Sequence, residues 1–326
     1  LFRLTLPDDA NIYGNVHGGT TLKLIEEAGI ILSTRYCNYL KKDSSSKIIT
    51  SMSRIESVDF MKPMKIGEVV ELTAEIVYTA DRSILVEVTV DAEDLFAARK
   101  HTTNKARLWY VAMNEDEDIL QVPLMTYNSK EEEEEAQAKY CTLLVDPPAK
   151  EPIYDDDSIP DCLPKIPEVH SVAYSETCLS LMVGPNDVAF GKICRGGVFL
   201  KLMDECAGIV AAKHCRNNVV TACLDATNFY THIRIGNVLT VRGKVTFTSK
   251  KSIEVEVIVS VVSPFEKQYK SIKAVDAFFT YVAIGLDGRA MEIPPLKVRT
   301  DNERMRFDAG MKRYMKRKEG RSSERK

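Results

Sequence analysis

The chain has 326 residues, of which 44% are hydrophobic and 28% are charged, and its formal net charge is −3. The length predicts about two domains, and the near-neutral charge does not favour a nucleic-acid partner. No apolar run approaches the ~18–20 residues that a membrane span needs, and the first residues do not resemble a signal peptide, so we expect neither membrane insertion nor export.

The first long predicted element is an apolar helix that begins at a glycine pair, and it occurs twice. GGTTLKLIEEAGIILSTRYC at 18–37 matches GGVFLKLMDECAGIVAAKHC at 196–215 at a fixed offset of 178 residues. The length of both segments and the recurrence of Leu, Ile and Met predict helices. Because each helix is apolar almost all round, we expect a sheet to wrap around it.

Strands are predicted after each helix. The segment 66–88 aligns with 235–257 at an offset of 169, and RLWYV at 107–111 aligns with AFFTYV at 277–282. Alternating β-branched residues predict strands that turn near 79–83 and 249–252. The offset falls by nine between the blocks, which predicts a loop insertion at NYLKKDSSSK in the first copy. One helix followed by antiparallel strands, twice over, predicts an α+β fold.

The composition changes between the two copies and again after the second. Residues 113–165 are charged and then rich in Pro and Asp, which predicts a solvated helix followed by a linker. The basic tail predicts a solvated helix that frays, with a nucleic-acid or anionic-membrane contact as the alternative. We therefore place an N-terminal domain at 1–113, a linker at 114–165, a C-terminal domain at 166–290 and a basic tail at 291–326.

The eight cysteines include no C-x-x-C pair, and several lie in apolar segments. In a chain without an export signal, this usage indicates reduced, mostly buried thiols and a cytoplasmic protein. No Cys/His spacing typical of a metal site, no phosphate-binding loop and no Gly-x-Ser-x-Gly motif is present. We therefore expect neither a metal nor a cofactor.

Each glycine pair places free N–H groups and the positive end of a helix dipole where a ligand can approach the backbone closely. Such a site can hold the oxyanion that forms during acyl transfer. A tight turn without function would also explain the glycines.

An acidic pair lies in each helix: Glu26 and Glu27 in the first, Asp204 and Glu205 in the second. A lysine four residues earlier explains Glu27 and Glu205 as surface pairs. Glu26 and Asp204 have no such partner, and a buried acid is costly unless it is hydrogen-bonded or faces a wet cavity. This favours a functional role for Asp204, with a capped or solvated acid as the alternative.

Polar residues precede each glycine pair. Asn11 lies seven residues before the first pair, and Asp187 lies nine residues before the second. His17 comes directly before the first pair, whereas Arg195 takes that place in the second copy. By itself, a histidine at such a position is more often a structural hydrogen-bonding residue than a catalyst.

The pattern N-x-x-G-x-x-H-G-G, followed by an acid within a helix, resembles the hotdog-fold acyl-CoA thioesterases. The segments NVHGGTTLKLIEEAG, TNKARLWYV and LMDECAGIVAAKHC resemble a divergent tandem member. The resemblance implies two hotdog domains, each an antiparallel sheet wrapped around one long helix, paired as a pseudo-dimer. It also implies hydrolysis of medium- to long-chain fatty acyl-CoA to free fatty acid and coenzyme A, by a homotrimer of tandem pairs.

The resemblance assigns roles to individual residues. Asn11 and Asp204 are the expected catalytic pair, Gly18 or Gly19 supplies the oxyanion hole, and His17 supports the site. The coenzyme A phosphates are expected to meet basic positions near strand turns, for which the candidates are Arg54, Lys250 and Lys251.

A mirror site is expected at the second glycine pair, Gly196 and Gly197, with Asp187 facing Glu26. Two facing carboxylates repel each other, so one of them tends to be protonated. The longer Glu side chain also misplaces its carboxylate, and small misplacements are costly in catalysis. We therefore expect one working site per chain and a degenerate mirror site.

Two alternatives to hydrolysis stay open. A hotdog enoyl-CoA hydratase would use a His/acid pair, for which only His17 is available near a site. A non-catalytic acyl-CoA-binding protein would keep the pocket without the chemistry.

Overall fold

The computed structural model describes residues 1–11, 14–40, 47–127, 129–145, 167–265, 271–285 and 287–323. The Pro- and Asp-rich part of the predicted linker (146–165) and most of the predicted loop insertion (41–46) lie outside these ranges. The insertion was expected between the first long helix and the strand that follows it. A helix at Gly18–Leu40 and a strand at Ile49–Ile55 lie on either side of it, in the predicted order.

The first copy consists of one long helix and six strands. They are β1 (Phe2–Leu4), α1 (Gly18–Leu40), β2 (Ile49–Ile55), β3 (Val58–Phe60), β4 (Val69–Thr79), β5 (Ser83–Asp94) and β6 (Arg99–Met113), and α2 (Lys130–Val145) follows them. The turn predicted at 79–83 joins β4 to β5.

The second copy repeats this order. It comprises α3 (Val172–Ser175), β7 (Thr177–Met182), α4 (Gly196–Cys215), β8 (Val219–Leu224), β9 (Thr227–Asn228), β10 (Val238–Thr248), β11 (Ile253–Val262), β12 (Ile272–Ala283) and α5 (Asp301–Ser323). The turn predicted at 249–252 joins β10 to β11. The repeat of one helix and its strands is therefore confirmed.

The strands of both copies form one antiparallel sheet. Its main path runs β1-β4-β5-β6-β3-β8-β12-β11-β10-β7, and β2 pairs with both β6 and β9. The copies meet where Val58 pairs with Leu224, and where Arg54 pairs with Asn228. The paired, continuous sheet that the resemblance implied is therefore present.

Each helix lies against the inner face of its half of the sheet. Leu22 and Ile25 of α1 and Leu200 and Met203 of α4 are fully buried. Alternate residues of β5 and β11 face these helices, because side chains of a strand point to opposite faces in turn. The helices and the inner face share one hydrophobic core, whose central strand residues include Val86, Val88, Val90, Val255, Val257 and Val259.

The basic tail is not a solvated helix, and that prediction is wrong. Instead, α5 packs on the outer face of the second half-sheet. Arg306 pairs with Glu256, and Arg313 and Arg317 both pair with Glu254. The Glu254 side chain is only 1% exposed. Arginine side chains on one face of the helix therefore neutralise acids that the alternating strand pattern predicts to be in solvent.

Replacing Arg317 by Gln should lower the free energy of unfolding by about 1.5–3 kcal/mol, the range typical of hydrogen bonds to charged groups. Arg317 donates to Asp225 at 2.6 Å and to Glu254 at 3.1 Å. Urea denaturation monitored by circular dichroism measures the change. Lys250→Gln is the control, because its pair with Glu292 is 77% and 73% exposed and should contribute almost nothing. Equal effects for both variants would contradict a buried role for α5.

The charged helix predicted after the first copy is α2, and it also has a buried face. Tyr140 is 7% exposed and packs with Leu85 and Trp109 on the outer face of the first half-sheet. The Arg107 guanidinium lies 5.8 Å from the centre of the Tyr140 ring. Both outer faces therefore have a helix against them.

The six cysteines whose side chains the structure describes are free thiols. Burial raises the pKa of Cys37 to about 11 and the pKa of Cys206 to about 12, which makes these thiols poor nucleophiles. Within the described ranges, no helix is long and apolar enough to cross a membrane. No cluster of three or more potential metal ligands occurs there either.

Candidate active site

The helices α1 and α4 approach each other closely at their glycine pairs. A Cβ atom at Gly19 would lie 2.9 Å from the Cα of Lys201, and one at Gly197 would lie 2.9 Å from the Cα of Lys23. Backbone contacts this short are not tolerated by larger residues. The glycines therefore let the N-terminus of each helix reach the middle of the other, where the acids lie.

Asp204 is held at the N-terminus of α1. Its carboxylate accepts hydrogen bonds from the Gly19 N–H at 2.7 Å, the Thr221 hydroxyl at 2.8 Å and the Tyr281 hydroxyl at 2.8 Å. Burial raises the pKa of Asp204, whereas these three donors and nearby His17 lower it. The donors favour the ionised form, which is the form that can act as a base or nucleophile.

The two predicted oxyanion-hole donors are not equivalent. The Gly19 N–H is occupied by Asp204. For the Gly18 N–H, the described part of the chain supplies no hydrogen-bond acceptor. A Cβ atom on Gly18 would lie 2.6 Å from the Thr221 Oγ1, so this glycine is also required by close packing. Gly18 thus offers the available N–H beside the Asp204 carboxylate.

Asn11 lies in the turn before α1. Its Oδ1 accepts a hydrogen bond from the Asn15 N–H at 3.2 Å, and its own N–H donates to the Asn15 carbonyl at 2.8 Å. These bonds hold the turn in place, and the catalytic role of Asn11 stays a prediction.

His17 precedes the first residue of α1 and caps it through the backbone. Its carbonyl accepts a hydrogen bond from the Thr20 N–H at 3.1 Å, and its N–H donates to the Asp9 carbonyl at 2.8 Å. The side chain is exposed. Its charge lowers the pKa of Asp204, which places the ring near the site.

The mirror site brings Glu26 of α1 to the N-terminus of α4, as predicted, but with different surroundings. Glu26 is fully buried, and neither carboxyl oxygen meets hydrogen-bond geometry with any described residue. Burial raises its pKa to about 7, while Arg195 and the Gly197 N–H lower it. The Gly197 N–H acts on the carboxyl as a nearby dipole without forming a hydrogen bond.

Among the described residues, counterparts of the two hydroxyl donors that hold Asp204 are lacking around Glu26. Met52 packs against Gly196 where Thr221 packs against Gly18 in the other site. The Tyr110 hydroxyl donates to the backbone carbonyl of Glu26 at 3.1 Å and not to its carboxyl group. The two interface sites therefore differ in their chemistry as well as in the length of the acid.

Asp187 lies in the turn before α4, and that it faces Glu26 stays a prediction. It ends the 3₁₀ turn Pro185–Asp187, where its Oδ2 accepts a hydrogen bond from the Gly184 N–H at 2.8 Å. Its counterpart in the first copy is Asp9, whose Oδ2 accepts from the Leu6 N–H at 3.0 Å. Both aspartates are turn caps.

The counterpart of Asn11 is Ala189. Both copies close the turn before the helix with an isolated antiparallel bridge, and the bridging pairs correspond at the offset of 178. The mirror site thus lacks the Asn side chain as well. The bridging pairs are Ala10 with Val16 and Val188 with Cys194.

Comparison with known proteins agrees with this geometry. The thioesterase superfamily model matches residues 13–95 and 191–263, which are the corresponding parts of the two copies. The chain is 43% identical over 318 residues to the cytosolic acyl coenzyme A thioester hydrolase of Homo sapiens, which covers 97% of this chain and 82% of that protein. The chain belongs to the acyl coenzyme A thioester hydrolase family.

Other relatives extend this finding. The family member of the same name from Mus musculus is 43% identical over the same shares of both chains. A solved Lactobacillus plantarum protein assigned as an oleoyl thioesterase superposes with a TM-score of 0.54, over 87% of this chain and 96% of that one. At 10% identity, that superposition shows the fold alone. The expected tandem pair of hotdog domains is confirmed.

Two residues of the site were not predicted from the sequence, namely Thr221 and Tyr281. Both contribute hydroxyl donors to the Asp204 carboxylate. A signal for Thr221 was available, because the repeat aligns it with Met52, a polar-for-apolar difference between the copies. Tyr281 aligns with Tyr110 and gave no such signal.

The three coenzyme A candidates are not brought together. The Arg54 guanidinium is bonded to Glu56 at 2.7 Å and to Asn228 at 3.1 Å, where the copies meet. Lys250 and Lys251 lie in the turn before β11, which adjoins the C-terminal end of β12. Asn228 lies near the other end of β12, where its neighbour Phe229 bridges Val275. Their role in phosphate binding stays a prediction.

Replacing Thr221 by Val should shift the acid limb of the activity profile to higher pH. The substitution removes a donor that lowers the pKa of Asp204. Because the ionised carboxylate is the active form, activity is lost as pH falls, and a higher pKa moves that loss upward. Thiol release measured from pH 4 to 9 tests this.

Met52→Leu is the matched control for Thr221→Val, since Met52 occupies the equivalent place in the other site. Its profile should coincide with that of the wild type. If a folded Thr221→Val variant kept the wild-type profile, the acid limb of that profile would not report the titration of Asp204.

Proposed function

We propose that this chain hydrolyses medium- to long-chain fatty acyl-CoA thioesters, releasing free fatty acid and coenzyme A, at the interface site around Asp204. The observation that carries the proposal is the Asp204 carboxylate, buried on one copy and held at the helix N-terminus of the other. The human and mouse relatives match nearly the whole chain, and both are named cytosolic acyl coenzyme A thioester hydrolase.

In the proposed reaction, the thioester carbonyl oxygen accepts a hydrogen bond from the Gly18 N–H. As a base, Asp204 takes a proton from a water molecule, whose oxygen bonds to the carbonyl carbon. The negative charge moves to the carbonyl oxygen, where the N–H and the α1 dipole stabilise it. Collapse of this intermediate breaks the carbon–sulfur bond, and coenzyme A leaves as a thiolate.

Alternatively, an Asp204 oxygen attacks the carbonyl carbon directly, the carbon–sulfur bond breaks and coenzyme A leaves as a thiolate, so that a mixed anhydride forms, which water then hydrolyses. Single turnover in ¹⁸O-labelled water detects a mixed anhydride that water opens at the Asp204 carbon. The base route places one labelled oxygen in the fatty acid and none in the enzyme. A mixed anhydride opened at the Asp204 carbon leaves the label in the Asp204 peptide, which mass spectrometry detects.

Asn11 and His17 are proposed to act at the edge of this site. Asn11 orients the water or the Asp204 carboxylate from the turn before α1, and His17 supports the site. Among the described residues, Glu26 lacks the hydroxyl donors that surround Asp204, which supports one working site per chain. The burst phase of a rapidly quenched reaction should therefore contain one product molecule per chain. Two product molecules per chain would contradict this.

The location and assembly are proposed from the relatives and from the resemblance. The human relative carries the word cytosolic in its name, and we propose the same compartment for this chain. We also propose a homotrimer of tandem pairs. Light scattering should then give about three times the chain mass of 36.6 kDa, whereas a value equal to it would contradict the trimer.

A thiol-release assay across acyl chain lengths tests the activity. Crotonyl-CoA hydration without thiol release would favour the hydratase alternative, and binding of acyl-CoA without either reaction would favour the non-catalytic one.

A further inference from the structure

The position one helical turn after the acid differs between the two copies. Ile30 lies four residues after Glu26 in α1, and Gly208 lies four residues after Asp204 in α4. Residues at this spacing share one face of a helix. Ile30 is buried, and with Glu26 it lines the mirror pocket, which has room for about one water molecule. The residue at this position therefore helps to decide how much space lies beside the acid.

Gly208 leaves that space open at the active site, where it is partly exposed. Among the described residues, a Cβ atom on Gly208 would meet only Tyr281, whose Cε1 and hydroxyl oxygen both lie at 3.9 Å. The same hydroxyl donates to the Asp204 carboxylate at 2.8 Å. Glycine costs a helix about 1 kcal/mol relative to Ala, and no close contact requires it here. The open space beside the acid is a functional explanation for this glycine.

The surroundings beyond Gly208 are apolar, unlike those beyond Ile30. In the first copy, the hydroxyls of Thr34 and Thr50 lie 2.8 Å apart. The two repeat offsets place Ala212 and Val219 at these positions, and both are partly exposed. Such a surface suits a hydrocarbon chain. The amides of the coenzyme A pantetheine arm would lose their hydrogen bonds to water there without replacement.

We propose that Gly208 determines acyl-chain specificity, because the acyl chain of the substrate passes over it. The chain leaves the carbonyl carbon beside Asp204, crosses Gly208 and lies against Ala212 and Val219. This path follows α4 for about 12 Å, at ~1.5 Å per residue. The proposal rests on the hydrolase function proposed above, and it names the part of that site that takes the acyl chain.

The variant Gly208→Ile tests the proposal by placing the mirror-site residue at the active site. Its kcat/KM for dodecanoyl-CoA, below the micelle concentration, should fall by about 10–200-fold, the range for an extra methylene-sized group in an apolar pocket. Its kcat/KM for acetyl-CoA should stay near the wild-type value, because an acetyl group ends before this path. Gly208→Ala should show a smaller loss with the same chain-length dependence. This variant keeps the test valid if Gly208→Ile does not fold, since its Cβ makes ordinary contacts.

Ile30→Ala is the matched control, because it opens the equivalent position at the mirror site. Its dependence on acyl chain length should coincide with that of the wild type. Equal losses for acetyl-CoA and dodecanoyl-CoA in Gly208→Ile would assign Gly208 to the packing of Tyr281 or to the pantetheine arm, and would overturn the proposal. An unchanged chain-length profile in the folded variant would also overturn it.

Failure of this inference is distinguishable from failure of the proposed function through binding, which needs no turnover. Calorimetry measures the affinities for S-dodecyl-coenzyme A and S-ethyl-coenzyme A, two thioethers that cannot be hydrolysed. Gly208→Ile should weaken only the dodecyl compound. If it does so in a chain that releases no thiol, the acyl path stands and the hydrolase function falls. Normal thiol release with no selective loss of dodecyl binding would give the opposite outcome.

Discussion

Replacement of Asp204 by Asn should reduce thiol release from palmitoyl-CoA by about 10²–10⁴-fold, the contribution typical of a positioned general base. Asn keeps the shape of the side chain and an oxygen that can accept the Gly19 N–H. The hydroxyls of Thr221 and Tyr281 can rotate to accept from its amide. The variant should therefore stay folded and lose only the chemistry, which near-ultraviolet circular dichroism and initial rates would show.

Glu26→Gln is the matched control, because Glu26 holds the equivalent position in the first copy. Its carboxyl group has no hydrogen-bond partner in the described structure, so the change should leave turnover near the wild-type value. A folded Asp204→Asn variant with normal turnover would exclude Asp204 as the catalytic acid. Loss of turnover in Glu26→Gln would contradict the asymmetry of the two sites.

Replacement of Gly19 by Ala should reduce turnover by about 10²-fold, since a displacement near 1 Å is costly at a catalytic site. The added Cβ would lie 2.9 Å from the Lys201 Cα and 3.0 Å from the Asp204 Cβ, so the two helices must separate. Overpacking costs about 1–3 kcal/mol, whereas Ala stabilises a helix by only about 1 kcal/mol relative to Gly. The melting temperature should fall along with the rate.

Gly197→Ala separates packing from catalysis in this experiment. Its Cβ would meet the backbone of Lys23, also at 2.9 Å, so the loss of thermal stability should match that of Gly19→Ala. Turnover per folded molecule should be retained, because this glycine lies at the mirror site. If both variants lost activity equally, the effect would come from general loosening of the helix pair.

The architecture could be predicted because its signals are local or repeated. A fixed offset of 178 residues revealed the duplication, and hydrophobic periodicity identified the helix and strands of each copy. The outer helices were the exception. Glu254 and Glu256 alternate with valines in the way that solvent-facing strand residues do, and nothing nearby in the chain indicates that Arg306 and Arg313 bury them.

The candidate site was predicted in part. Asp204 stood out because an acid on an apolar helix needs an explanation, and the structure gives one. Tyr281 lies 77 residues further along the chain, and its contact depends on strand pairing that no local pattern reveals. Asp187 was paired with Asn11 as its counterpart, although the repeat offset aligns it with Asp9.

The continuous sheet across the two copies also bears on how such a site can diverge. In a dimer of identical units, a substitution enters both interfaces at once, so Met52 could not replace Thr221 on one side without removing it from the other. A single chain that carries both halves is free of this symmetry constraint. One interface can keep the catalytic donors while the other loses them.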